Sequence, residues 1–167
     1  LGGNVAADGD ASFNGNVTLA AASVDAITAG DAIDFTGNVT GAASDLVLTA
    51  AELTISGGGT ITVDSLDTTG VGLTELAGDV TIETDGDDGD VVDPDAIDLG
   101  PVDGSHTLTL TAKGATGDVT LAGGDIAVLV IIDAFNVIFA GDLGTTGDVT
   151  VSAVDGTITV DSGAEVT

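Results

Sequence analysis

Apolar and polar residues alternate in short stretches along this chain. Val17 and Leu19 flank Thr18, Leu53 and Ile55 flank Thr54, Ile61 and Val63 flank Thr62, and Val80 and Ile82 flank Thr81. The same beat returns in Leu108-Thr109-Leu110, Val119-Thr120-Leu121 and Ile158-Thr159-Val160. A period of two over about three to five residues sends alternate side chains to opposite faces, which predicts short strands with one face buried. No segment holds a helical period. Leu66 to Leu76 comes nearest, and Thr68-Thr69-Gly70 with Gly72 weakens it.

The strands are headed by a recurring word. Gly-Asn-Val-Thr starts at Gly15 and Gly37, and Gly-Asp-Val-Thr starts at Gly78, Gly117 and Gly147. A second word, Gly-Thr-Ile-Thr-Val-Asp-Ser, stands identically at 59–65 and 156–162. Combining the two words puts glycine starts at Gly15, Gly37, Gly59 and Gly78, an almost even beat, and the step from Gly78 to Gly117 is close to two such units. The step from Gly117 to Gly147 fits no multiple. Short strands at a period near 20 residues predict a right-handed parallel β-helix, or β-solenoid, of roughly eight coils stacked at about 4.8 Å. Asn and Asp belong at its corners, where they tolerate left-handed backbone and bond to it. The alternative is one or two immunoglobulin-like β-sandwich domains, since the copies of the second word, at Gly59 and Gly156, lie a plausible domain length apart. Other word pairs, Gly15 with Gly117 and Gly30 with Gly124, do not keep that offset, and such drift favours coils over duplication. The chain is expected to be a single solenoid segment over 1–167, with an acidic loop inserted near 85–104.

Composition sharpens this picture. Val, Leu, Ile and Phe supply 49 of the 167 residues, above the roughly 20% level that marks disorder, so the chain can bury a core despite its charge. That core must be aliphatic and thin, because Trp, Tyr and Met do not occur. The formal net charge is -27, from 24 Asp and 4 Glu against one Lys and no Arg. Such a chain repels nucleic acid and anionic membranes, and Lys113 is its one fixed side-chain cation. Without Cys it forms no disulfide and no zinc–thiolate site. The longest apolar run, Ile126 to Ala140, is broken by Asp133 and Asn136 and falls short of the ~18 residues of a membrane span. A chain that begins at Leu1 and contains no Met is expected to be a processed or excerpted piece.

The words Gly-Asn/Asp-Val-Thr-Leu, Ala-Gly-Asp-Ala-Ile and Gly-Thr-Ile-Thr-Val resemble the repeat regions of filamentous haemagglutinin-type proteins. The resemblance covers most of the chain and is weakest at 85–105 and 126–145. It implies a right-handed parallel β-helix within a secreted, elongated, non-enzymatic bacterial surface adhesin. The secretion domain of that family has no counterpart here, and this chain is unusually acidic.

Candidate chemistry is sparse. The densest acid run is Asp85-Gly86-Asp87-Asp88-Gly89-Asp90, followed by Asp93. Hard carboxylate oxygens on a flexible Asp/Gly backbone suit calcium, and Asp85, Asp87, Asp88, Asp90 and Asp93 are the candidate ligands. The EF-hand spacing is missing, as is the calcium β-roll nonapeptide. Asp31, Asp79, Asp118, Asp125, Asp142 and Asp148 fall at coil starts, where stacking would align like charges. His106 precedes a strand and reads as a surface imidazole. A glycosidase carboxylate pair has no Arg or aromatic platform beside it, and no nucleophile elbow occurs. The Thr-x-Thr words at 60–62, 107–111 and 157–159 suggest ice binding, but at about 50 residues apart they are not expected to form one ladder. Asn16 and Asn38 sit in glycosylation sequons that coincide with the repeat word.

The expected function is therefore a structural, non-enzymatic element of an extracellular fibre or cell-surface adhesin. It would self-associate end to end or continue into further coils of a longer chain, with no nucleic-acid partner, no membrane span and an unidentified glycan or host-surface target. The alternatives are a calcium-binding S-layer or sandwich-type adhesin module, and a polysaccharide-acting β-helix enzyme.

Overall fold

Val, Ile and Leu at every second position, punctuated by Gly and Asp, build a chain of strands and corners. The structure, a computed structural model, describes all residues except 2, 21, 22, 57, 85–94, 115 and 153. It contains eighteen strands and no helix among the described residues. Every strand pairing is parallel and joins one turn of the chain to the next. The result is a β-solenoid of about seven turns, about 21 residues each. At ~4.8 Å per turn the stack is on the order of 34 Å long, one coil shorter than the repeat count predicts. The sandwich alternative fails, because sandwiches are built from antiparallel sheets.

Three parallel ladders run along the rod. The first face carries β1 (Val5–Ala7), β4 (Ser23–Ala29), the leading half of β7 (Ser44–Ser56) and that of β9 (Leu66–Ala77). It continues through β11 (Ile97–Leu99), β13 (Val119–Leu121), β15 (Val137–Phe139) and β18 (Ile158–Val160). The second face holds β2 (Ala11–Phe13), β5 (Ala32–Phe35), the trailing halves of β7 and β9, the start of β12 (Val102–Ala112), the start of β14 (Gly124–Asp133) and β16 (Leu143–Thr145). The third face holds β3 (Val17–Thr18), β6 (Val39–Gly41), β8 (Thr60–Val63) and β10 (Val80–Thr84). The ends of β12 and β14 and then β17 (Val149–Val151) complete it. The stretch that comes nearest to a helical pattern is thus strand β9, which runs through a corner and serves two faces.

Turn length varies, which explains the broken beat in the sequence. Val119 pairs with Val137 across a short turn, while Leu66 pairs with Ile97 across a much longer one. The extra length of that turn falls between Thr84 and Ile97. The expected insertion near 85–104 is therefore too long at its far end. Ile97–Leu99 and Val102–Ala112 are strands in register with both neighbouring turns. The misfit step from Gly117 to Gly147 has a different cause. Gly117-Asp118 leads a first-face strand, whereas Gly147-Asp148 leads a third-face strand. The two copies of Gly-Thr-Ile-Thr-Val-Asp-Ser likewise occupy different faces, β8 on the third and β18 on the first.

Inward side chains stack in columns. Leu46, Leu66, Ile97, Val119 and Val137 follow one another along the first face, all essentially inaccessible. Phe13 and Phe35 stack in register with ring centroids 5.1 Å apart. The lumen is narrow enough that each methyl has partners above and below, which is the packing that gives buried aliphatics about 1.5–3 kcal/mol apiece. The column breaks open at the last turn. Ile158 and Val160, stacked on Val137 and Phe139, are 55% and 48% exposed, against 0% and 3% for the residues beneath them. Close approach of coils also fixes certain glycines. Gly124 sits at φ +126°, and a Cβ there would collide with the Val102 carbonyl of the turn before.

Candidate functional site

The corners show what the repeat word does. Asn16 Oδ1 accepts the Asn38 N–H at 3.0 Å, and Asn38 Oδ1 accepts the Thr60 N–H at 3.0 Å. Asp79 Oδ1 accepts the Thr107 N–H at 2.9 Å, and Asn136 Oδ1 accepts the Thr157 N–H at 2.9 Å. Asp118 Oδ1 accepts both the backbone N–H and the side-chain amide of Asn136, at 3.1 and 2.9 Å. Each oxygen satisfies a backbone donor of the next turn where the chain bends away from the ladder. Stacking alone predicts aligned like charges at Asp79, Asp118 and Asp142. Instead each of these carboxylates meets an N–H of the following turn, Asp142 Oδ1 taking that of Glu165 at 2.9 Å. The sequon residues Asn16 and Asn38 have the same structural task.

Like charges do stack elsewhere. On the outward side of the second face, Glu75, Asp103 and Asp125 are in register on consecutive turns. Asp34 lies in the same column two turns before Glu75, bonded by the Ser12 hydroxyl at 3.1 Å. On the first face Asp67 pairs with Asp98. Neighbours ~4.8 Å apart in water repel by roughly 1 kcal/mol before salt screening. Beyond Asp125, an open hollow of about 250 Å³ is lined by Asp125, Asp142, Gly144 and Glu165 among others.

The third face is different in kind. Thr18, Thr40 and Thr62 are in register on three successive turns, followed by Glu83 and Thr111. Two residues earlier in each strand, Thr60, Thr81 and Thr109 form a second column, followed by Val130 and Thr150. As expected, the three Thr-x-Thr words form no single ladder, since Thr159 lies on the first face, but Thr60, Thr62 and Thr109 belong to columns that also draw on other threonines. Only the Thr-x-Thr words stand out along the sequence, whereas the ladder also uses the single threonines of the Gly-Asn/Asp-Val-Thr words. Glu83 is the acid between the threonines of the first column, and Lys113 Nζ donates to its Oε1. Asp133 follows Thr111 in the first column, across a bulge, on the same turn as Val130.

The predicted calcium ligands Asp85, Asp87, Asp88, Asp90 and Asp93 lie outside the described residues. Among the described residues, no group of three or more His, Asp or Glu side chains is arranged to hold a metal ion. His106 Nδ1 stands 3.8 Å from Asp79 Oδ1, with both side chains open to solvent. No helix among the described residues is long and apolar enough to cross a membrane. No protein-family model, curated protein or solved structure matches the chain.

Proposed function

We propose that this chain is a structural, non-enzymatic element of an extracellular fibre or surface adhesin, continued end to end by further coils. The observation that carries this reading is the open last turn. Ile158 and Val160 hold lumen positions yet lie half in water, and among the described residues β18 pairs with β15 alone, which makes it an edge strand. A solenoid tolerates such an end only when it is capped or stacked on another coil. The covering coil belongs to a longer chain or to a second copy, and either supplies parallel strands. The composition supports a rod working outside the cell, with an acidic coat around a thin aliphatic lumen. A non-enzymatic role is supported by the solvent-exposed setting of His106 and by the lack of Arg, Trp and Tyr to grip a sugar.

The test is assembly. Sedimentation and electron microscopy should show rods that lengthen with concentration, or a parent chain with more coils. Ile158→Lys with Val160→Lys should hold the chain as single rods without lowering its melting temperature. Stable single rods at every concentration, with no longer parent chain, would sink the proposal. So would glycan cleavage that disappears on removing a carboxylate pair.

Calcium is the second reading, favoured by the composition of the run from Asp85 to Asp93. Calcium at millimolar level should raise the melting temperature and chelator should reverse it. An equal rise with magnesium or with sodium at matched ionic strength assigns the effect to screening and removes this reading.

A further inference from the structure

The third face is a regular, nearly uncharged surface on a protein of net charge -27. We propose that it is an ice-binding surface, its ligand being the ordered water of a crystal face. Three observations converge on it. The columns Thr18–Thr40–Thr62 and Thr60–Thr81–Thr109 present threonine on successive turns of a parallel ladder. Spacing in such a ladder is set by the backbone, at ~4.8 Å between turns and ~6.7 Å between alternate residues of a strand. Both steps lie close to oxygen repeats of the hexagonal ice lattice. Threonine is stiff at χ1, so hydroxyl and methyl are held in a fixed array that bonds lattice water and fills lattice voids together.

Charge gives the second argument. A carboxylate binds its own hydration shell tightly and disrupts an ice-like layer. Stacked acids of the outward columns lie on the other two faces, at Asp34, Glu75, Asp103 and Asp125 on the second and at Asp67 and Asp98 on the first. The acid inside the threonine columns, Glu83, is neutralised by the chain's single Lys, and Asp133 stands on the turn after Thr111, beyond the five turns that carry Thr18 to Thr109.

Size gives the third. Two columns over five turns cover roughly 300 Å², from the ladder spacings above. A stable contact between two protein copies needs ~800 Å² from each partner. The patch is small for a protein partner and sufficient for a periodic crystal surface, where each added turn repeats the same match.

The experiment is nanolitre osmometry on the full chain, with partition into a growing ice front. The wild-type protein should separate freezing from melting and enter the ice. Thr40→Lys and Thr81→Lys should lose both effects while melting thermally like wild type. Thr54→Lys, on the acidic second face, should keep both. If lysine unfolds a turn, Thr81→Ser serves instead, since it keeps the hydroxyl, removes the methyl and should weaken both effects. Folded wild-type protein that shows no hysteresis and is excluded from ice overturns the proposal. Unchanged hysteresis in Thr40→Lys and Thr81→Lys does the same. So does a concentration-dependent dimer that these variants abolish without any ice effect, since the face would then be a contact between copies.

Discussion

A side-chain oxygen at a corner does for this rod what the ladder does for its faces. Asn38 is the clearest case, taking the Thr60 N–H on one side while its own N–H bonds Asn16 Oδ1. Asn38→Ala should cost about 0.5–1.5 kcal/mol, the net worth of one such bond, read by chemical denaturation. Asn38→Asp should cost much less, because Asp79 and Asp118 perform the same task elsewhere. The corner residues are legible in the sequence, since Asn and Asp recur after Gly in the repeat word. Their partners are not. The residue that donates each bond lies a whole turn ahead, at Asn136 for Asp118 and at Thr107 for Asp79, and the turns differ in length. A corner carboxylate therefore looks like a charge to be screened until its N–H is located.

Strands are readable from alternation, but faces are not. Ile61-Thr62-Val63 and Ile158-Thr159-Val160 are near-identical strands, yet one lies on the third face and the other on the first. Alternation reports which side chains point inward; only turn length assigns a strand to a face, and turn length drifts. The threonine ladder escapes sequence reading for that reason, with Thr60, Thr81 and Thr109 at unequal intervals along the chain. The acid run is legible as composition, while its ligand geometry lies outside the described residues. Corner glycines set the tolerance of these elements. Gly124→Ala forces a Cβ toward the Val102 carbonyl and a positive φ on an L residue. It should destabilise by at least about 1–3 kcal/mol in thermal or denaturant unfolding. Gly163 also has a positive φ, but its Cβ would meet no neighbour, so Gly163→Ala should cost less.

At the scale of the rod, charge is sorted by face. Carboxylates stack on the second face at Glu75, Asp103 and Asp125, and the third face is left nearly neutral. Stability should rise with sodium chloride as the stacked acids are screened. Asp103→Asn removes the middle charge of the stack. It should stabilise the protein by a few tenths to about 1 kcal/mol at low salt, and the gain should shrink at high salt. Melting curves at two ionic strengths check this. A gain that ignores salt would show that packing, not repulsion, is responsible.

The solitary Lys113 has a further consequence for handling the molecule. It follows β12 directly, with about half its side chain in solvent. Trypsin therefore has a single address in the whole chain. A cut there leaves two pieces still joined by the pairings of β11 with β13 and β12 with β14. Amine-directed reagents find only this lysine and the amino terminus. A tether placed on Lys113 grips the rod beside its neutral face, and acylation there leaves Glu83 bare, turning a routine labelling step into a charge mutation of that face.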